Sequence, residues 1–187
     1  AWQCDEDAYN ASGQKCAAQS ILFVHENWTD HLMPRLKKLV ERRRLDNLSI
    51  GPVLTWSNKE IKNHINALLQ IPGSEVVFGN EELESHTIPS VYGSMKPTAV
   101  EIPIEQLLTD HFDLITSEVF GPVQVIINYK HDELSVILEA LERIPLHLTA
   151  AVVSNDPLFQ QQVLGLTVNG TTYAGIRART TGAPHNH

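Results

Sequence analysis

Apolar residues along this chain follow two kinds of spacing, and each spacing predicts a different element. Short runs of mostly apolar residues predict buried strands at 21–24, 76–78, 99–102, 123–127, 148–153 and 166–168. Apolar residues three or four positions apart predict helices that pack one face against a core. Their stripes are Leu32, Leu36, Leu39 and Val40; Ile61, Ile65, Leu68 and Leu69; and Leu134, Ile137, Leu138 and Leu141. Strands that alternate with amphipathic helices predict an α/β fold, in which a mostly parallel open sheet is flanked by helices on both faces.

Residues that cap or break helices mark the boundaries of these elements. Thr29 or Asp30 is suited to cap the first helix and Ser57 the second, because their side-chain oxygens accept hydrogen bonds from exposed backbone amides. Pro157 fits the first turn of a further helix. The polar stretch 79–98 predicts an irregular or antiparallel excursion. A length of 187 residues favours a single domain over two small ones.

Composition and charge narrow the classes of partner. The chain carries 14 Lys and Arg against 22 Asp and Glu, a net charge of −8, which argues against binding to nucleic acid or to an anionic membrane. No apolar run reaches the length of a bilayer span. His185 and His187 come closest to a metal-binding pair but lack a third ligand at suitable spacing, so we expect no metal site. Cys4 and Cys16 are too few for a disulfide framework and fit a reducing compartment.

One segment combines a flexible turn with a nucleophilic side chain. Residues 12–16 read Ser-Gly-Gln-Lys-Cys. Gly13 permits a tight turn with positive φ, and the charge of Lys15, or an adjoining helix N-terminus, would favour the thiolate of Cys16. A thiolate attacks carbonyl carbon, so Cys16 is a candidate nucleophile. The alternative is that Cys16 is a small buried apolar residue.

Two motifs, taken in order, resemble a known enzyme family. Residues 13–16 (Gly-Gln-Lys-Cys) and 118–123 (Glu-Val-Phe-Gly-Pro-Val) resemble the catalytic-cysteine and Glu-x-Phe-Gly-Pro elements of NAD(P)-dependent aldehyde dehydrogenases. Further stretches resemble one branch of that superfamily, the plant-type delta-1-pyrroline-5-carboxylate dehydrogenases; they are 23–28, 50–54, 149–156 and 168–175. The resemblance implies an NAD-linked oxidation of glutamate semialdehyde, a small-molecule aldehyde, to glutamate in proline breakdown.

The resemblance implies roles for individual residues. Cys16 would be the nucleophile that forms a thiohemiacetal and then a thioester, and its backbone amide would donate into an oxyanion hole. Glu118 would hydrogen-bond the ribose hydroxyls of NAD, and Phe120 would pack beside the nicotinamide ring; core packing is the alternative for Phe120. Lys59 or Lys62 lies where many relatives contact the cofactor ribose, with a solvated helix lysine as the alternative.

A substrate-anchoring loop is also implied, near the end of the chain. Thr181, Gly182 and Ala183 occupy its position, where backbone amides and a hydroxyl would receive the α-carboxylate of the substrate. Arg177 and Arg179 could add long-range attraction for a substrate with two acidic ends, with ordinary surface arginines as the alternative. One departure concerns Ala17, which follows the nucleophile where many relatives that use this substrate have Ser.

By the same resemblance, residues 1–187 form the nucleophile-bearing catalytic domain of a longer protein. The cofactor-binding domain, the general-base glutamate and a C-terminal segment would lie outside them, so the isolated chain is predicted to be inactive. The relatives imply a homo-oligomer in the mitochondrial matrix. Two alternatives stay open: a folded, non-catalytic module or subunit-interface fragment with an idle thiol, and a cysteine hydrolase that uses His25 or His185 as its base.

Overall fold

The computed structural model describes residues 1–181, in which strands and helices alternate. The helices are α1 (Trp2–Tyr9), α2 (Glu26–Val40), α3 (Asn58–Leu68), α4 (Phe112–Thr116), α5 (Leu134–Arg143) and α6 (Pro157–Leu166). The strands are β1 (Ile21–His25), β2 (Glu75–Phe78), β3 (Thr98–Glu101), β4 (Val123–Tyr129), β5 (Thr149–Val152) and β6 (Thr171–Ala174). Across this part of the chain, no helix has both the length and the apolar character needed to cross a membrane.

The main sheet has the strand order β1-β4-β3-β2. Strand β4 lies inside it and pairs in parallel with β1 and with β3, whereas β2 adds an antiparallel edge. All of β4 except Asn128 is buried, as expected for its β-branched apolar run. Strands β5 and β6 form a separate parallel pair. The prediction of a mostly parallel sheet is confirmed.

Helices cover both faces of the main sheet. Successive side chains of a strand point to opposite faces, and Val125 and Ile127 accordingly join one apolar cluster while Ile126 joins the other. The first cluster includes buried residues of α3, α4 and α5, and the second includes buried residues of α1 and α2. This is the α/β arrangement of a sheet flanked by helices that the sequence predicts.

Two predicted caps have different outcomes. Ser57 caps α3 as predicted, and its partnership with Glu60 forms a capping box in which each side chain bonds the other residue's backbone. The prediction that Thr29 or Asp30 caps α2 is wrong. Helix α2 begins at Glu26, directly after β1, because Nδ1 of His25 accepts a hydrogen bond from Asn27 N at 3.2 Å and serves as the cap.

The predicted strand at 166–168 is also wrong. Asp156 caps α6 by accepting from Leu158 N, and the helix continues to Leu166. The strand lies further on, at Thr171–Ala174, in parallel register with Thr149–Val152. Its sequence, Thr-Thr-Tyr-Ala, has β-branched residues but is not an apolar run. A search for mostly apolar runs therefore misses it.

Helix α1 has no counterpart among the predicted helices. Its buried face includes Asp5 and Asp7 beside Ala8 and Tyr9, so polar positions interrupt the apolar stripe. Tyr9 is fully buried and fixes the helix to the main sheet: its hydroxyl donates to Thr98 O at 3.1 Å and accepts from Gln124 Nε2 at 2.7 Å.

Candidate active site

The thiol of Cys16 is exposed, in a turn between α1 and β1. Ala18 N donates to Lys15 O at 3.0 Å within this turn, and the chain then enters β1. No helix begins at Cys16, so the expectation that a helix macrodipole favours its thiolate is wrong. The alternative of a buried apolar cysteine is wrong as well, because the residue is exposed.

The ammonium group of Lys15 is attached to helix α1. Its Nζ donates to Glu6 O at 2.8 Å. Burial is the main reason that the pKa of Lys15 is lowered, and the nearby charge of Asp7 opposes that shift. The residue just before Cys16 is therefore hydrogen-bonded to helix α1.

The turn before Cys16 has a left-handed backbone at three consecutive residues. Ala11, Ser12 and Gly13 have φ values of 56°, 54° and 72°. For a residue with a Cβ this conformation costs on the order of 1–3 kcal/mol, so the surroundings must hold it. Ser12, which is buried, does so: its hydroxyl donates to Gly51 O at 2.9 Å and accepts from Gly51 N at 2.8 Å.

Gln14 makes a second attachment to the same neighbouring segment. Its Nε2 donates to Pro52 O at 2.9 Å, and its Oε1 accepts from Leu54 N at 2.8 Å. The side-chain amide thus satisfies both a carbonyl and an amide of an extended backbone. Ser12 and Gln14 together fasten the turn that carries Cys16 to residues 51–54. Sequence reasoning missed both roles, since their partners lie far away along the chain.

The turn also touches the loop that contains Glu118. A Cβ added to Gly13 would lie 2.1 Å from the carbonyl oxygen of Gly121, so the two backbones are in direct contact. Strand pairing explains this meeting. The turn precedes β1 and the loop precedes β4, and these strands pair in parallel, so both connections lie at the same edge of the sheet. The two motifs, far apart in the sequence, therefore lie next to each other in the fold.

Glu118 and Phe120 differ from the core residues around them. The Glu118 side chain makes no hydrogen bond or ion pair within residues 1–181, and partial burial raises the pKa of its carboxyl. Phe120 is half-buried, and among the described residues it belongs to neither apolar cluster. The core-packing alternative for Phe120 is therefore not what the structure shows.

Asp7 of α1 holds the segment where the predicted anchoring loop begins. Its carboxylate accepts hydrogen bonds from Arg179 Nε at 2.9 Å, from Thr180 N at 2.7 Å and from Thr181 Oγ1. The hydroxyl hydrogen of Thr181 is thus already donated, and the charge of Arg179 is paired within the protein. Gly182 and Ala183, the other predicted anchor residues, lie outside the described residues.

The family model for the aldehyde dehydrogenase family matches residues 3–178. The chain belongs to the aldehyde dehydrogenase family. It is 60% identical over its whole length to delta-1-pyrroline-5-carboxylate dehydrogenase 12A1, mitochondrial, of Arabidopsis thaliana, and covers 34% of that protein. It is 29% identical to the 1-pyrroline-5-carboxylate dehydrogenase of Bacillus pumilus, with 80% of this chain and 27% of that protein aligned. The chain thus spans about a third of the length of the first of these aldehyde dehydrogenases.

Solved aldehyde dehydrogenases and proline utilization A proteins share this fold. A structure of proline utilization A with proline bound in remote sites superposes with a TM-score of 0.78 at 21% identity, over 97% of this chain and 17% of that one. The structure of the E194S mutant of the Bacillus cereus aldehyde dehydrogenase superposes with a TM-score of 0.74 at 21% identity, over 92% of this chain and 34% of that one. These likenesses confirm the α/β fold.

Membership of the aldehyde dehydrogenase family implies a nicotinamide cofactor, and the loop 118–122 has side chains that fit one. Glu118 is exposed and its side chain makes no hydrogen bond within residues 1–181, so its carboxylate oxygens can accept hydrogen bonds from ribose hydroxyls. A half-buried aromatic ring such as Phe120 suits contact with a planar nicotinamide.

The remaining candidates take no part in this site. Lys62 pairs with Glu82 at 2.5 Å, and Lys59 is exposed on α3, as expected for helix-surface lysines. His25 lies at the opposite end of β1 from Cys16 and caps α2, so it is not placed to be the base of a cysteine hydrolase. His185 lies outside the described residues. Within residues 1–181, no group of three or more His, Cys, Asp or Glu side chains is arranged to hold a metal ion.

Proposed function

We propose that residues 1–187 form the nucleophile-bearing catalytic domain of an NAD-dependent dehydrogenase. The longer protein would oxidise L-glutamate γ-semialdehyde to glutamate in proline catabolism. The observation that carries this proposal is the position of Cys16: an exposed thiol on a turn that is in backbone contact with the loop of Glu118 and Phe120. The two relatives named above carry the same substrate, pyrroline-5-carboxylate, in their names.

In the proposed reaction, the sulfur of Cys16 adds to the aldehyde carbon and forms a thiohemiacetal. The negative oxygen that develops lies next to the attacked carbon, where the backbone amide of Cys16 can donate to it. That amide donates no hydrogen bond within residues 1–181, so it is available. Loss of a hydride equivalent leaves a thioester, and water then cleaves its carbon–sulfur bond to release the carboxylate and the thiolate.

The cofactor would be held by the loop that contacts this turn. When bound, NAD supplies the acceptor for the hydride. Glu118 would accept hydrogen bonds from its ribose hydroxyls, and Phe120 would pack beside the nicotinamide. The attachment of Ser12 and Gln14 to residues 51–54 keeps the thiol at a fixed place relative to this loop.

The substrate would be oriented by residues 181–183. Thr181 would contribute through its position, because its hydroxyl hydrogen is bonded to Asp7. Ala17 has no hydroxyl for the substrate carboxylate, so orientation would depend more on the anchoring loop. We further propose a homo-oligomer in the mitochondrial matrix, in line with the mitochondrial relative. This chain alone, a third of that relative's length, is expected to show no turnover.

The test is NADH production by the purified full-length enzyme with glutamate semialdehyde. Cys16→Ala should remove turnover, with a loss of at least about a thousandfold, because no other group replaces a covalent nucleophile. Cys4→Ala is the matched control, since Cys4 is half-buried in α1, and it should keep turnover within about twofold of wild type. Turnover that survives Cys16→Ala would overturn the proposal.

A further inference from the structure

Arg43 follows α2 and is almost completely enclosed by other groups. Its side chain is 3% exposed, and that of Asp5 beside it is 0% exposed. The guanidinium Nε donates to Asp5 Oδ1 at 2.9 Å, and Nη2 donates to Asp5 Oδ2 at 2.8 Å. Nη1 donates to Ser49 O at 2.9 Å, and Nη2 also donates to Glu6 Oε1 at 3.1 Å. A buried charge is costly unless it is paired and hydrogen-bonded, so Arg43 holds α1 and the segment at Ser49 together.

The segment at Ser49 leads directly to a residue that holds the turn of the nucleophile. Ile50, which comes next, is 1% exposed. Gly51 then binds the Ser12 hydroxyl through both its backbone groups, at 2.8 Å from its amide and 2.9 Å from its carbonyl oxygen. The path from the guanidinium group to the turn therefore consists of one hydrogen bond, the backbone of residues 49–51 and the two bonds of Ser12.

Helix α1 gives a second connection to the same turn. The helix ends at Tyr9, and the turn begins at the next residue. The carbonyl oxygen of Glu6 also accepts from Lys15 Nζ at 2.8 Å, directly before Cys16. Arg43 thus fixes two supports of the turn, α1 and residues 49–51, relative to each other.

We propose that Arg43 is a positioning residue for the nucleophile. This inference rests on the proposed function. The thiol of Cys16 must lie at a defined place relative to the loop of Glu118, because attack and hydride transfer both depend on distance and angle. If the two supports move relative to each other, the turn that they hold moves with them. Arg43 therefore governs the rate of the chemical steps, whereas binding of NAD depends on the loop of Glu118.

Arg43→Lys is the informative variant, since it keeps the positive charge. A lysine ammonium group lacks the planar fork of arginine, so it cannot bond both oxygens of Asp5 and also Ser49 O. In the full-length enzyme with glutamate semialdehyde, well below the melting temperature, we expect kcat to fall about tenfold or more, while KM for NAD stays within about twofold of wild type. A purely structural role would lower the folded fraction, measured by circular dichroism, and leave kcat per folded molecule unchanged.

Two controls separate position from stability. Arg42→Lys makes the same change at the neighbouring residue, whose side chain is 51% exposed and bonds Asp5 at 3.2 Å and Glu6 at 3.5 Å. Ile137→Val removes a buried methylene from α5, on the opposite face of the main sheet from α1, and should lower the melting temperature. Both should leave kcat per folded molecule within about twofold of wild type. If Arg43→Lys loses no more kcat than these controls, the proposal is overturned.

A combination with Ser12→Gly tests the path itself. That substitution removes the hydroxyl that joins Gly51 to the turn. In its background, the further fold-loss of kcat from Arg43→Lys should be at least about threefold smaller than in wild type, because one route to the turn is already broken. Equal losses in both backgrounds would overturn the proposal. If Arg43→Lys does not fold, Asp5→Asn takes its place, and an unchanged kcat in that variant would overturn the proposal as well.

The outcomes also separate this proposal from the proposed function. A wild-type enzyme that makes no NADH from glutamate semialdehyde, or one that keeps its turnover after Cys16→Ala, would refute the proposed function and the role of Arg43 with it. A wild-type enzyme whose turnover requires Cys16, but whose kcat is unchanged in Arg43→Lys, would refute the role of Arg43 alone.

Discussion

Gly13 and Gly121 meet backbone to backbone, and through this contact the turn of the nucleophile lies against the loop of Glu118. No side chain fits between them, because a Cβ on Gly13 would lie 2.1 Å from Gly121 O and 2.9 Å from Ala8 O. Gly13 also has a φ of 72°, which residues with a Cβ rarely adopt. The proposed site depends on both properties of this glycine.

Gly13→Ala should therefore damage both stability and catalysis. Strain at positive φ alone costs about 1–2 kcal/mol, and the clash with Gly121 adds to it, so we expect at least about 2 kcal/mol of lost stability. Displacement of the turn should also lower kcat by a hundredfold or so, because small misplacements of a nucleophile are costly. Chemical denaturation and steady-state kinetics of the full-length enzyme measure the two effects.

The control for this substitution is Gly51→Ala. No atom lies within 4 Å of a Cβ added there, and the backbone bonds of Gly51 to Ser12 do not involve its side chain. Its effect should stay within about 0.5 kcal/mol. If Gly13→Ala proves as mild as Gly51→Ala, the close contact with Gly121 is not as described.

Ser12 offers a pair of substitutions that separates strain from hydrogen bonding. Both Ser12→Ala and Ser12→Gly remove the hydroxyl that bonds Gly51, which should cost about 1–3 kcal/mol. Only glycine relieves the backbone at φ 54°. Ser12→Gly should therefore unfold at a higher temperature than Ser12→Ala, by an amount that corresponds to about 1 kcal/mol. The reverse order would contradict the left-handed conformation of this turn.

Glu118→Gln should stabilise the protein without cofactor while weakening cofactor binding. Partial desolvation raises the pKa of the Glu118 carboxyl in the folded state, but the residue is exposed, so solvent screening keeps the effect on stability small. Below the ordinary pKa of glutamate, this carboxyl is protonated in both the folded and the unfolded state, and it does not lower the free energy of unfolding. As the pH rises through the raised folded-state pKa, the unfolded state has already ionised, and stability is lost. The melting temperature of the variant should therefore exceed that of wild type more at pH 7 than at pH 4.

The same variant should respond less to NAD. Bound cofactor stabilises wild type by RT ln(1 + [NAD]/Kd), and the variant should have a higher Kd because it has lost a charged acceptor for the ribose hydroxyls. We expect a smaller NAD-induced rise in melting temperature and a KM for NAD raised about tenfold. An unchanged response to NAD would separate Glu118 from the cofactor site.

The two thiols should react with alkylating agents at different rates. Burial is the main reason that the pKa of Cys4 is raised, so it has less thiolate at a given pH, and it is also less exposed than Cys16. Peptide mapping after brief alkylation at pH 7.5 should find Cys16 modified first. In guanidinium chloride the two rates should become similar. Faster modification of Cys4 in the folded protein would contradict the structure.

Local signals in the sequence predict the strands of the main sheet and the helices α2, α3 and α5, but neither α1 nor α4. The apolar run of β4 and the Ser57 cap of α3 depend on neighbouring residues, and both were predicted. Helix α1 was missed because its buried aspartates are satisfied only by distant partners, Arg43 for Asp5 and residues 179–181 for Asp7. No local pattern reveals that such polar positions face inward.

In the candidate site as well, the sequence predicts some residues, whereas other contacts are revealed only by the structure. Cys16 and Glu118 were found from their motifs, and the parallel pairing of β1 with β4 explains why motifs so far apart meet. The hydrogen bonds of Ser12 and Gln14 to residues 51–54 are seen only in the structure, because no sequence pattern predicts them. These contacts arise only when three separate segments converge at one edge of the sheet, and spacing along one chain does not encode them.

Inactivation of the full-length enzyme with iodoacetamide shows whether the thiol of Cys16 is the nucleophile. Residual activity and peptide mapping are followed together, with and without glutamate semialdehyde. We expect activity to fall in step with alkylation of Cys16 and the aldehyde to slow both. Full activity in enzyme whose Cys16 is completely alkylated would contradict this role.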